Sequence, residues 1–242
     1  MSAGIIVFQG MKVGVLPGDF TISVAESGEL QPHLMLSTAY NVLPIWLRIA
    51  DDQFKQARAA HRFLIESWGR SDASDRELLV RELEPSLQVF VACGIALDAI
   101  YDLLKPYAKL DQDTLEAWKR NGTGRASQIF EVIRRVYRLD NTNSESFRKH
   151  ISQIINLRDQ AVHPSLELKR TCTRPDIPVG VDWKFSAYRH DNAHICFQAT
   201  MHMLIHIYEK RSGIGELDSQ MDSVFDALEE LKVISRKPSE RR

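Results

Sequence analysis

The seven residues from Arg158 to Pro164, RDQAVHP, place an arginine, a carboxylate and a histidine at the end of an apolar helical pattern. Arginine can clamp a phosphate with two parallel hydrogen bonds, and histidine is the side chain that most readily moves protons near neutral pH. These two side chains together suit the cleavage of a phosphodiester. The segment therefore predicts a candidate catalytic site made of Arg158, Asp159 and His163.

The spacing of the arginine and the histidine restricts how they can meet. In one regular helix over residues 147–163, Arg158 and His163 would lie about 140° apart around the axis, so they would not share a face. Pro164 can bias His163 out of the helical conformation and let its ring turn back. Alternatively, a symmetric second chain can place its own arginine and histidine alongside. The spacing therefore favours a homodimer.

A non-catalytic interpretation of the same residues stays open. Helices often end in basic residues that complement the negative end of the helix dipole, and a proline can then close the helix. Asp159 and His163 are also i,i+4 neighbours, and such a surface pair contributes on the order of a few tenths of a kcal/mol. In this interpretation Arg158 is solvated and the three residues do no chemistry.

Length and charge narrow the class of protein. With 242 residues and a formal net charge of -1, the chain can bury a sizeable core but is not a globally basic nucleic-acid coat. Its charge is uneven, because the segment from Arg120 to Arg174 holds eleven Lys or Arg against five Asp or Glu. That segment includes Arg158 and could attract a polyanion such as RNA.

The cysteines and the N-terminus predict where the protein works. Cys93, Cys172 and Cys196 are an odd set without close spacing, which fits reduced thiols better than a disulfide framework. Glycines interrupt the apolar N-terminus, and we expect no stretch long enough to span a bilayer. These features predict a soluble, cytoplasmic protein that makes no membrane contact.

Apolar patterning divides the chain into three parts. Short runs rich in Val and Ile, namely GIIVF, MKVGVL and FTISV, predict a small β hairpin or meander over residues 1–30. Helical periodicity covers residues 36–234, with the core of this domain at about residues 75–210. The polar segment 235–242 predicts a disordered tail. The fold class is therefore all-α, with a short β-rich element at the N-terminus.

Residues that typically cap or interrupt helices predict several helix boundaries. Ser74 is the expected cap of one helix, and Pro85 should interrupt it before a strongly apolar helix begins. Ser144 should open the helix that carries Arg158. The segment after Pro164 is expected to be a long loop, and residues 186–210 should form one helix.

Basic residues that follow the motif are candidate contacts to an RNA backbone. Lys169, Arg170 and Arg174 lie in the expected loop and should be exposed. Arg189 and His190, near the start of the next long helix, could contact RNA as well. The sequence thus predicts a set of cations beside the candidate catalytic residues.

A second histidine cluster offers an alternative chemistry. His202, His206 and Glu209 would share one face of the predicted helix, which is a spacing that could make a two-histidine, one-carboxylate metal site. Because this helix is also rich in large apolar residues, packed histidines with one polar edge are the competing interpretation. The sequence therefore predicts no metal or cofactor, with this triad as the alternative.

The phrase FRKHISQIINLRDQAVHP, with Arg158, Asp159 and His163 in an Arg-x4-His pattern, resembles the motif of the HEPN-domain superfamily. Proteins of that superfamily are helical bundles in which such a motif lies near the end of a late helix. The apolar helix carrying Asp98 resembles their acid-containing early helix. The resemblance spans roughly residues 75–210 and implies an up-and-down helical bundle of HEPN type.

The resemblance implies a metal-independent endoribonuclease that acts as a homodimer without a cofactor. Arg158 would hold the scissile phosphate, His163 would act as acid or base, and Asp159 would position one of them. The superfamily includes toxins and phage-defence effectors, so an antitoxin or regulatory protein is an implied partner. Because many members only bind, the alternative is a non-catalytic module that binds protein or RNA.

Overall fold

A computed structural model of the chain describes residues 5–8, 11–163 and 167–235, without the side chains of residues 141–143. The described residues are mainly helical, which confirms the coarse fold class. Six strands precede or interrupt the helices: β1 Met11–Gly14, β2 Phe20–Val24, β3 Leu30–Leu34, β4 Ser37–Tyr40, β5 Cys172–Arg174 and β6 Ile177–Val181. The helices are α1 Leu43–Ser67, α2 Asp72–Leu104, α3 Gln112–Arg120, α4 Arg125–Tyr137, α5 Asn141–Val162, α6 Trp183–Ala187, α7 His190–Lys210 and α8 Gly215–Glu230.

Helix α2 is the centre of the fold and packs against α1, α4, α5 and α7. It begins at Asp72, where the Ser71 side chain accepts a hydrogen bond from the Ser74 backbone N–H. Ser71 is therefore the cap, and the expected cap at Ser74 is wrong by three residues. The interruption expected at Pro85 is also wrong, because α2 runs through it. Pro85 is itself buried, so packing on its neighbours outweighs the lost backbone hydrogen bond.

The same central helix has the length and composition of a membrane-spanning helix. The stretch Asp72–Tyr107 is long and apolar enough to cross a bilayer, which departs from the expectation that no stretch would be. Its most apolar window is 56% buried inside the fold, as the core helix of a bundle is. Length and composition alone thus do not separate these two kinds of helix.

The N-terminal strands form a feature that we call the β arm, residues 11–40. Strand β1 pairs with β4, and β2 pairs with β3, both antiparallel. The sequence patterns at residues 11–14 and 20–24 correctly predicted strands, but the strands continue to Tyr40. The helix expected from residue 36 begins instead at Leu43, with Pro44 in its first turn, where proline is well tolerated.

The C-terminal half departs from expectation in two places. The expected long loop contains a hairpin, β5–β6, whose Ile177 and Val181 pack on Leu64 and Leu78 of α1 and α2. The helix expected over residues 186–210 is two helices, α6 and α7, separated by residues 188–189. Helix α5 begins at Asn141, three residues before the expected Ser144. Pro164 and the tail residues 236–242 lie outside the described residues.

The cysteines behave as the sequence predicts. All three are free thiols, with Cys93 on α2 and Cys196 on α7 both buried in the main core. Burial raises the pKa of Cys196 well above its ordinary value, and the neighbouring Cys93 adds to the shift. The Cys196 thiol is therefore held protonated inside the bundle.

Candidate functional site

Helix α5 brings Arg158 against α2, where the arginine is held rather than solvated. Its Nη1 donates a hydrogen bond to Oδ2 of Asp98 at 2.9 Å, and its Nε lies 2.7 Å from Oδ1 of Asp159. The second contact is an ion pair without hydrogen-bond geometry, because Nε finds no aligned acceptor. The Arg158 side chain is only 16% exposed. Its position is therefore fixed by two carboxylates from two helices.

Gly94 makes this approach of α5 to α2 possible. A Cβ atom placed on Gly94 would lie 2.6 Å from Cγ and 2.9 Å from Cβ of Arg158, closer than real side chains come. The aliphatic part of Arg158 therefore lies directly on the glycine. A glycine inside an apolar helix costs helix propensity, so its presence signals such a close approach.

Asp98 joins Arg158 to a second arginine. Its Oδ1 accepts a hydrogen bond from Nε of Arg125 at 2.6 Å, while its Oδ2 faces Arg158. The Arg125 guanidinium also lies 3.8 Å above the ring centroid of Tyr101, which is a cation–π contact. One carboxylate on α2 thus organises two guanidinium groups, and Asp159 and Asp102 lie 2.7 Å and 3.7 Å from them.

His163 lies one residue beyond α5 and is exposed. Its backbone N–H donates to the Asp159 carbonyl at 2.9 Å, so helical geometry continues to this residue. The rotation of about 140° between Arg158 and His163 consequently holds within one chain. The two residues therefore do not meet on one face of a single α5, and the possibility that Pro164 turns the ring back lies outside the described residues.

A cavity of about 880 Å³ opens beside Asp98, between the base of the β arm and helices α2 and α8. Polar side chains in its wall include Tyr40, Asp98, Tyr107 and Glu216. Lys12 of β1 pairs with Glu216 at 2.9 Å, and this contact lowers the pKa of Glu216. The carboxylate that holds Arg158 thus also faces a space large enough for a ligand.

The expected RNA-contacting cations have different surroundings. Lys169 and Arg170 are exposed, as predicted, and Lys169 Nζ lies 4.5 Å from the Trp183 ring centroid. Arg174 is only 3% exposed, so its expected exposure is wrong. Arg189 is held near Asp176 and Asp191, at 3.8 Å and 3.5 Å. Of the loop cations, only Lys169 and Arg170 are open to a polyanion.

Arg174 is buried because it anchors the β5–β6 hairpin to the bundle. Its Nη1 lies 2.7 Å from Oε2 of Glu82, and both side chains are 1% exposed. It also forms two hydrogen bonds with the carboxylate of Asp176 and one with the Phe185 carbonyl. These contacts keep the pKa of Arg174 above its usual value and that of Asp176 below it, although burial opposes both shifts. A charge this deep needs such complete pairing.

Two histidines join the ion pairs around Arg174. We call the whole set the histidine–carboxylate cluster; its members are His61, Glu82, Arg174, Asp176, His190 and Asp191. His61 Nδ1 lies 2.8 Å from Oε1 of Glu82, and the backbone N–H of His190 donates to the same oxygen at 3.1 Å. The rings of His61 and His190 stack at 5.0 Å, and His190 also stacks on Phe54. Burial, and more weakly the neighbouring His61, lowers the pKa of His190.

The cluster contains the two sets of three ligand atoms that the described residues bring within 4.8 Å of one another. These sets are His61 with His190 and Asp191, and His61 with Glu82 and Asp176. Arg174 already pairs with both Glu82 and Asp176, so the second set serves as an ion-pair network. The first set has the ligand types that a divalent transition metal prefers.

The alternative metal triad of the sequence is not assembled in the described part of the chain. His202 and Glu209 are exposed, and His206 packs edge-on against Phe147 at 5.3 Å. None of the three belongs to a group of close ligand atoms. The competing interpretation, histidines packed along a polar edge, describes His206 best.

Sequence reasoning missed the partners that fix these side chains. Gly94 lies in the apolar run of α2 and carried a usable signal, a glycine where a bundle helix should have a larger residue. No local pattern joins Glu82 to Arg174, since the pair depends on how the β5–β6 hairpin folds back. Comparison with protein-family models, with curated proteins and with solved structures finds no match for this chain.

Proposed function

We propose that this chain is a metal-independent endoribonuclease that cleaves RNA by general acid–base catalysis at a site shared by two copies of the chain. Arg158 binds the scissile phosphate, His163 transfers protons, and Asp159 helps to position Arg158. The proposed fold is the HEPN-type helical bundle that the motif resembles, and the proposed biological role is a toxin or phage-defence effector in the cytoplasm, controlled by an antitoxin or another regulatory protein.

The observation that carries the proposal is the restrained position of Arg158. A helix-end arginine that only complements the helix dipole would extend into solvent. Arg158 instead lies on Gly94, donates to Asp98 and keeps a small exposed fraction. A guanidinium fixed before substrate binds loses little entropy on meeting a phosphate, which favours a binding or catalytic role.

The chemistry follows from the groups at the end of α5. A histidine takes the proton of an RNA 2′-hydroxyl, whose oxygen forms a bond to the adjacent phosphorus. Arg158 stabilises the negative charge that develops on the phosphorane oxygens. The bond from phosphorus to the 5′-oxygen then breaks as that oxygen receives a proton. The products are a 2′,3′-cyclic phosphate and a 5′-hydroxyl, and positioned acid–base groups contribute about 10²- to 10⁴-fold to such a step.

The second copy is part of the proposal because one chain separates its two principal groups. Arg158 and His163 point about 140° apart on α5, so a phosphate held by one arginine is best reached by the histidine of the other copy. The histidine that takes the 2′-hydroxyl proton then passes it to the 5′-oxygen, so one Arg158–His163 pair completes the proton transfers of one site.

The proposed activity is tested with alanine variants of the motif and with control variants on the same helix. Labelled single-stranded RNA and transfer RNA are incubated in EDTA with the wild-type chain, Arg158→Ala and His163→Ala. Arg148→Ala and His150→Ala, about three to four turns before their counterparts on α5, are the matched controls. We expect cleavage by the wild type and by both controls and a loss of at least about 100-fold in the two motif variants. Equal cleavage by all five folded proteins would reveal a contaminating nuclease and end the proposal.

Mixing the two inactive variants tests the shared site. If Arg158 of one copy works with His163 of the other, a mixed dimer of Arg158→Ala and His163→Ala contains one complete pair. Random exchange of subunits should then restore about a quarter of the wild-type sites. If mixing restores no activity, either Arg158 and His163 act within one chain or they take no part in catalysis.

A non-catalytic interaction module is the second candidate function, and one observation favours it. Asp98 and Asp159 already pair with Arg158, which reduces the attraction of this guanidinium for a phosphate. Tight binding of RNA or protein by the wild-type chain, without any turnover in the assay above, would establish this second function.

A further inference from the structure

The outer part of the β arm has an apolar face that none of the residues described by the structure covers. Its six residues form three cross-strand pairs: Phe20 with Leu34, Ile22 with Pro32, and Val24 with Leu30. All six are exposed, and the five other than the proline keep between 55% and 69% of their surface in solvent. This set is called the arm face below.

Hydrogen bonding explains why the arm face is compact. The Ala25 N–H donates to the Glu29 carbonyl at 2.9 Å, and the Met35 N–H donates to the Asp19 carbonyl at 2.7 Å. Because hydrogen-bonded and non-hydrogen-bonded pairs alternate, the three pairs of the arm face are non-hydrogen-bonded ones, in which side chains stand closest. Pro32 therefore loses no bond inside the hairpin, and it offers no N–H at the outer edge.

The opposite face of the same strands is polar. Thr21, Ser23, Gln31 and His33 alternate with the apolar residues, and Ser23 Oγ lies 3.1 Å from Nε2 of His33. The period of two along both strands thus separates the faces cleanly. Such a pattern is typical of a sheet that buries one face and leaves the other in water.

An uncovered hairpin of this kind is expected to find a partner. A two-stranded hairpin alone is marginally stable in water, and a contiguous exposed apolar patch marks an interaction surface. At roughly 100 Å² for each of five large side chains, the arm face offers on the order of 500 Å². Two such faces together reach about the 1,000 Å² that a specific interface needs.

We propose that the arm face packs against the same face of a second copy of this chain, as two small sheets stacked in a twofold dimer. A face made of three similar apolar pairs is complementary to itself, as an isologous interface requires. The face carries no charge, so no unpaired charge would be buried. Asp19, Glu26 and Glu29 border it and no Lys or Arg occurs between Lys12 and Arg48, which disfavours an anionic lipid surface as the partner.

The association does not rest on the proposed ribonuclease activity. The base of the β arm and Asp98 line one cavity, so the arm leaves the bundle close to the helix that holds Arg158. In the proposed dimer the arm face supplies the apolar contact area.

Sedimentation and light scattering of the full chain over a concentration series test this proposal. Ile22→Lys puts a charge at the centre of the arm face, and Thr21→Lys puts the same charge on the polar face one residue away. We expect a dimer for the wild type and for Thr21→Lys, and a dissociation constant at least about 100-fold higher for Ile22→Lys. Circular dichroism should show the same helical content in all three.

A milder variant is a control for the possibility that the lysine in Ile22→Lys unfolds the β arm locally. Ile22→Thr keeps a β-branched residue of high strand propensity and removes apolar area, so it should weaken the dimer to a smaller extent than Ile22→Lys. A monomeric wild type at all concentrations overturns the proposal and leaves the arm face to another protein. A dimer that persists unchanged in Ile22→Lys overturns it too, and locates the interface elsewhere. No RNA is present, so the measurement does not depend on cleavage. A monomeric wild type would also contradict the shared catalytic site, whereas a dimer that persists in Ile22→Lys would leave that site intact.

Discussion

Arg158 and Asp98 are 60 residues apart in sequence, and Nη1 of the arginine donates to Oδ2 of the aspartate at 2.9 Å. The pair joins the end of α5 to the middle of α2, which is the central helix of the bundle. It gives the arginine of the motif a fixed position before any ligand binds. The consequences of this contact, and of the packing beneath it, can be measured.

Replacing Asp98 with asparagine should release Arg158. The carboxamide keeps the shape but removes the charge that holds two guanidinium groups, so we expect cleavage to fall about tenfold or more. The free energy of unfolding should fall by about 1–3 kcal/mol. Asp102→Asn is the control, since this neighbour on α2 is 75% exposed and lies 3.7 Å from Arg125. A larger effect at position 102 than at position 98 would contradict the assigned role.

Replacing Gly94 with alanine should push Arg158 away from α2. The added methyl group would stand 2.6 Å from Cγ of the arginine, and relieving that overlap should cost about 1–3 kcal/mol of stability. Thermal unfolding and RNA cleavage are measured together. Gly215→Ala serves for comparison because its Cβ would meet nothing within 4 Å. If Gly94→Ala were as stable and as active as the wild type, the close packing would have no functional meaning.

The sequence predicted the residues of the motif but not the residues that hold them in place. Arg158, Asp159 and His163 are adjacent enough to be recognised in a single helix, and the apolar run around Asp98 correctly predicted a buried helix. The contact between Asp98 and Arg158 depends on the packing of α2 against α5, which no local periodicity encodes. The passage of α2 through Pro85 depends on tertiary packing that outweighs local propensity.

Glu82 should be among the most sensitive positions in the chain. Glu82→Gln leaves the fully buried Arg174 without one of its two anionic partners, and breaking such a pair typically costs about 3–5 kcal/mol. Chemical denaturation should report this loss. The exposed Glu84, two residues further along α2, provides the matched Glu84→Gln control, which should change stability by less than about 0.5 kcal/mol. Equal stability of the two variants would show that the buried pair contributes nothing.

The pH dependence of stability should reflect His190. Because burial lowers its pKa in the folded state, the unfolded chain takes up the proton first as the pH falls below about 6.5. Stability is therefore fully present above that pH and is lost as the pH falls through the lower, folded pKa. His61, Glu82 and Asp191 face the ring, and the two carboxylates limit the effect. Thermal midpoints measured from pH 8 to about pH 5 should fall less steeply in His190→Gln; parallel curves would contradict this assignment.

The most direct test of the central claim is the chemistry of the cleaved ends. Purified wild-type chain and folded His163→Ala, prepared identically, are incubated with labelled RNA in EDTA, and the new termini are identified by mass spectrometry. The account predicts 2′,3′-cyclic phosphate and 5′-hydroxyl ends with the wild type and intact RNA with the variant. The same products from both proteins, or intact RNA with both, would contradict it.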